Sequence, residues 1–103
     1  MNISVVNKQF KEQRELTCVE IMGLKCIMAS LEEEFNYESD LEHFFYCDKN
    51  VYADRPFMIM DDEDTEWWVS RGYMVPGINH DVFLIAATDE DEENDVILRV
   101  SGF

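Results

Sequence analysis

Positive charge is scarce in this chain. Its 103 residues include 8 Lys or Arg against 23 Asp or Glu, a net charge of −15. Nucleic-acid binders neutralise phosphates with lysine and arginine. Direct nucleic-acid binding is therefore not expected, and an anionic membrane surface should repel the chain. Prolines number two and glycines four, so no flexible linker divides the chain, and residues 1–103 read as one acidic domain. The three cysteines are an odd number with no close pairing motif. Without a recognisable signal peptide, they point to reduced thiols and a cytoplasmic setting. Cys18 and Cys26 sit among apolar residues and read as buried small hydrophobes. No apolar run approaches membrane-spanning length. No phosphate-binding loop, dinucleotide fingerprint or nucleophile elbow is present.

Apolar material is plentiful. Hydrophobic residues make up 47% of the chain and aromatics 13%, too rich for a disordered polyanion. The charge is uneven. Residues 1–25 hold four basic and three acidic residues, and residues 26–103 hold four basic and twenty acidic ones.

Met1–Val6 reads as a short strand or a tail. From Leu16 the apolar positions Val19, Met22, Ile27, Met28, Leu31 and Phe35 fit a helical stripe. A strand over Leu16–Met22 is the alternative, because Gly23 weakens a helix. Glu32–Glu34 end the segment. Ser39 with Glu42 forms a capping box for a second short helix that turns Leu41, Phe44 and Phe45 inward. Phe57–Met60 is a short apolar run, and Glu66–Met74 has strand character. Val82–Ala87 and Val96–Val100 read as an antiparallel hairpin across a polar connection, Thr88–Asp95. The expected class is α+β, with N-terminal helices packed on a three- or four-stranded antiparallel sheet.

The candidate partner-binding residues are acidic clusters: Glu32, Glu33 and Glu34; Glu38, Asp40 and Glu42; Asp61, Asp62, Glu63, Asp64 and Glu66; and Asp89, Glu90, Asp91, Glu92 and Glu93. Carboxylates two apart on a strand, or three to four apart on a helix, form rows of negative charge as a phosphate backbone does. Taken singly, each cluster reads more simply as a solvated loop. Trp67 and Trp68 are adjacent, so on a strand they point to opposite faces. One belongs in a core. The other is either covered by a helix or exposed as an interface anchor.

Metal and catalytic readings are weaker. A calcium loop needs Gly at its sixth position and Glu at its twelfth. Counting from Asp89 gives Asn94 and Val100, and from Asp61 gives Glu66 and Gly72. His43 and Cys47 are four apart, but no second zinc-ligand pair follows and His80 stands alone. A Cys47–His80 catalytic pair lacks the positive surroundings that activate a thiol. No metal, cofactor or enzymatic activity is expected.

In size, acidity and lack of catalytic motifs the chain resembles two groups of small inhibitors. One is the phage-encoded DNA mimics that block restriction enzymes, CRISPR effectors or uracil-DNA glycosylase. The other is the immunity proteins that neutralise bacterial nuclease toxins. The resemblance is one of composition and transfers no residue. It implies an inhibitor that occupies the basic nucleic-acid-binding surface of a target enzyme. The alternative is an immunity or antitoxin protein for one cognate nuclease toxin, followed by a small enzyme or metal-binding protein.

Overall fold

The computed structural model describes residues 2–6, 15–34, 41–75 and 81–102, and for Glu92 the backbone only. Strand β1 (Asn2–Val6) is followed by one helix, α1 (Cys18–Glu33), and a 3-10 turn (Leu41–His43). Five strands complete the chain: β2 (Phe44–Cys47), β3 (Asn50–Met60), β4 (Glu66–Val75), β5 (Asp81–Thr88) and β6 (Asp91–Ser101). All six strands form one antiparallel sheet in the order β1-β6-β5-β4-β3-β2. This corrects the expected architecture. Among the described residues a six-stranded sheet carries a single helix, where several helices on three or four strands were expected.

Helix α1 starts at a capping box, Thr17 with Glu20. The Thr17 hydroxyl accepts from the Glu20 N–H at 3.2 Å, and the Glu20 carboxylate accepts from the Thr17 N–H at 2.9 Å. Two otherwise orphaned backbone donors are thereby satisfied. The helix ends at Glu33, among the three glutamates, as expected. Its buried stripe is Leu24, Met28 and Leu31. Val19 is instead 81% exposed and Met22 52% exposed. Cys18 and Cys26 are exposed free thiols, contrary to the reading that buried them. The helix is apolar on both sides, so periodicity alone did not select the packed one.

The second helix is absent from the described residues. Ser39 lies outside them. Leu41–His43 make one 3-10 turn, and Phe44–Cys47 form a strand. The reason lies in the turn that follows. Cys47 pairs with Asn50, and both intervening residues have positive φ, 49° at Asp48 and 69° at Lys49. That sign pattern belongs to the two-residue turns whose twist suits a hairpin. Phe44 points into the core, and Phe45 is exposed.

The inner face of the sheet packs on α1. Leu24, Met28 and Leu31 join Phe44, Val51, Phe57, Ile59, Trp67, Val69, Leu84 and Leu98 in one cluster. Each fully buried aliphatic side chain contributes roughly 1.5–3 kcal/mol. Gly72 lets the helix approach, since a Cβ there would lie 3.0 Å from Met28 Sδ and 2.9 Å from Leu84 Cδ2. Tyr46 ties the start of α1 to β2. Its hydroxyl accepts from the Leu16 N–H at 3.0 Å and donates to Glu15 Oε2 at 2.6 Å. Burial first, then the Glu15 carboxylate, push this phenol above its ordinary pKa.

The sheet curls strongly. Ile3, on edge strand β1, meets the hairpin between β3 and β4. The Ile3 N–H donates to Asp62 Oδ1 at 3.1 Å, and the Asp62 N–H donates to the Ile3 carbonyl at 3.1 Å. Three bulges sharpen the curl. Residues 53–56 of β3 stand opposite Ser70, Ser70 is itself an extra residue against β5, and residues 92–95 of β6 stand opposite Ala87.

Candidate functional site

Strands β3 to β6 run up and down in sequence, so the β3–β4 and β5–β6 turns fall at the same end of the sheet. They adjoin. A trough of about 380 Å³ is lined by Thr65 and Glu66 from one hairpin and by Thr88, Asp89 and Glu90 from the other. Two acidic clusters far apart in sequence thus form one carboxylate-bearing end. Asp62, Glu63, Asp64, Glu66, Asp89 and Glu90 are exposed there. The polar connection expected over Thr88–Asp95 is shorter than that. The turn is Asp89–Glu90, and Asp91 already belongs to β6. Asp91 and Glu93 are exposed, and Glu93 lies in the β6 bulge, which detaches that stretch from the regular ladder. The Asn94 amide donates to both Asp91 carboxylate oxygens at 3.1 Å. The Glu92 side chain lies outside the described residues.

Asp61 does a different job from its neighbours. Oδ1 accepts from the Glu63 and Thr65 N–H groups, each at 2.9 Å, and Oδ2 accepts from the Trp67 indole at 2.8 Å. Burial raises its pKa. The bonds from Trp67, Thr65 and Glu63 outweigh burial and hold the carboxyl below the ordinary aspartate value. Its charge is spent on building the hairpin, as is the carboxylate of Asp62 on Ile3. Asp64 sits at the tip with φ 61°, a backbone that Asp tolerates better than most residues.

The tryptophans divide as expected for a strand. Trp67 is 7% exposed in the inner core, and Trp68 is 41% exposed on the outer face. Trp68 pairs across strands with Ala87. Together with Pro56, Thr88 and Asp89 they line a mainly apolar pocket of about 490 Å³. The β3 bulge that carries Pro56 also carries Asp54 and Arg55, both exposed. Elsewhere on the outer face Phe45 stacks on Tyr52 at 5.5 Å, with Arg71 5.9 Å above the Tyr52 ring. Tyr73, Phe83 and Ile85 form a second apolar cluster there.

The remaining candidates do not join this end as one set. Glu32 is 3% exposed, on the packed side of α1, and its Oε2 lies 2.7 Å from His43 Nε2. It pairs α1 with the 3-10 turn, where an exposed partner contact had been expected. Glu33, Glu34 and Glu42 are exposed near that junction. Glu38 and Asp40 lie outside the described residues, as does His80.

Among the described residues no three His, Cys, Asp or Glu side chains come together as metal ligands. No described helix is long and apolar enough to cross a membrane. No family model, curated protein or solved structure matches the chain. Function has therefore to be argued from this geometry.

Proposed function

We propose that the chain is a binding protein whose acidic sheet end docks on the basic, nucleic-acid-binding surface of a target enzyme and blocks it. One observation carries this reading. The β3–β4 and β5–β6 hairpins set their exposed carboxylates side by side, next to a pocket lined in part by the exposed Trp68. Carboxylates there would pair with the lysines and arginines that hold phosphate, and an apolar centre would anchor the contact. Charge complementarity speeds encounter and makes it salt-sensitive.

The apolar pocket also favours the second reading, an immunity or antitoxin protein for one cognate toxin. Anchoring by an aromatic ring in a pocket is selective, as recognition of one cognate toxin requires.

The test is affinity capture from the native host with wild type and with a variant carrying Glu63→Gln, Glu66→Gln, Asp89→Asn and Glu90→Gln. The expected result is a basic nucleic-acid-binding protein that wild type retains, and that salt and the neutralising substitutions release. Displacement of duplex DNA from that protein marks a nucleic-acid mimic. Inhibition without displacement marks the immunity reading. Capture unaffected by either salt or neutralisation rejects both.

A further inference from the structure

We infer that the pocket beside Trp68 is a receptor for a single long cationic side chain of the partner, with arginine preferred over lysine. The inference rests on the reading of this sheet end as a cation-recognising surface, and it names the group recognised. The pocket's apolar lining is Pro56 with the cross-strand neighbours Trp68 and Ala87. Thr88 and Asp89 line both this pocket and the carboxylate trough beyond it, which adds Glu66 and Glu90. A ligand that fills both spaces needs an apolar stem and a positive tip.

Lysine and arginine are the side chains built that way, because both lay a methylene stem on apolar surface and keep the charge in water. Arginine fits better on two counts. Its planar guanidinium stacks on an indole face, and its fork of donors matches a carboxylate bidentately. The occupant therefore belongs to a basic protein. A second copy of this chain would bring another net charge of −15 to the same end.

The two tryptophans make a matched pair of reporters. Trp67 has its indole N–H fixed on Asp61 in the interior, and Trp68 is exposed. Hexa-arginine and hexa-lysine peptides are titrated into the 15N-labelled full chain at low salt, with both indole resonances observed. Hexa-arginine should move the Trp68 indole and leave Trp67 in place. Trp68→Ala should weaken hexa-arginine binding by roughly fivefold, the scale of one exposed cation–π contact, and hexa-lysine binding by less. Glu66→Gln with Asp89→Asn, which keeps the ring, should weaken both peptides. If hexa-arginine binds with Trp68 unmoved and with unchanged affinity for Trp68→Ala, the pocket is not the receptor, and the acidic-surface reading survives. If neither peptide binds, the acidic-surface reading falls, and this inference with it.

Discussion

Ile3 and Asp62, 59 residues apart, exchange two hydrogen bonds: the Ile3 N–H donates to the Asp62 carboxylate, and the Asp62 N–H donates to the Ile3 carbonyl, each at 3.1 Å. The contact joins the edge strand β1 to the acidic β3–β4 hairpin. It shows that a cluster of like charges can be divided in its duties. Asp61 and Asp62 hold the hairpin in place, and Glu63, Glu66, Asp89 and Glu90 are left exposed at this end of the sheet.

Asp62→Ala should therefore lower stability by about 1 kcal/mol, the usual net worth of one intramolecular hydrogen bond. Glu63→Gln should leave stability within about 0.5 kcal/mol of wild type, the usual range for a surface change. Urea unfolding of both variants checks this. Equal effects would mean that the Ile3 contact does not close the sheet in solution.

Asp61 makes stability depend on acid. Its folded-state pKa is depressed by the Trp67, Thr65 and Glu63 donors, so the unfolded chain takes up the proton first as pH falls. The contribution is whole above the ordinary aspartate pKa of about 4 and is lost as pH falls through the lower, folded-state value. Asp61→Asn should be less stable at neutral pH, and its loss relative to wild type should shrink below that range. Thermal melts of both proteins between neutral pH and pH of about 2.5 measure the difference. A gap that stays constant across the acid range would contradict the assignment.

Gly23 and Gly72 should respond in opposite senses to alanine. Gly23 lies mid-helix with no atom within 4 Å of an added Cβ, so Gly23→Ala should stabilise by up to about 1 kcal/mol. Gly72→Ala places a methyl against Met28, Leu84 and the Phe83 carbonyl. It should destabilise by about 1–3 kcal/mol, the range for overpacking a core. Denaturant midpoints check both, and a stabilising Gly72→Ala would mean that α1 sits further from the sheet than described.

Glu32 should behave unlike its neighbours. The buried Glu32 carboxylate lies 2.7 Å from His43 Nε2, and losing a buried polar contact costs about 1–3 kcal/mol, so Glu32→Ala should unfold more readily than Glu33→Ala or Glu34→Ala. A Glu32→Ala protein as stable as the other two would contradict the burial of Glu32 against the 3-10 turn.

Local alternation made the tryptophan faces legible, and the strand pattern of residues 82–87 and 96–100 made the last hairpin legible. The helix boundary was legible too, in Thr17 followed three residues later by Glu20, though other features drew the reading. β2 was missed because its turn uses Asp48 and Lys49 in left-handed backbone with no glycine to announce it. The packed side of α1 was misjudged because Val19 and Met22 are as apolar as Leu24 and Met28. Nothing local distinguishes Asp62 from Asp64, or Glu32 from Glu33. Their roles come from Ile3 and His43, which only the fold brings near. The same holds for the adjoining hairpins, since Glu66 and Glu90 share a trough that no sequence spacing encodes.

The most direct measurement is the affinity of the captured partner for wild type and for the variant with Glu63→Gln, Glu66→Gln, Asp89→Asn and Glu90→Gln, each titrated from low to high salt. Wild type should bind tightly at low salt and weaken steeply as salt rises. The variant, with an unchanged fold by circular dichroism, should bind at least about tenfold more weakly at low salt, with a shallower salt slope. Equal affinities and equal slopes would contradict the assignment of these carboxylates as the recognition surface.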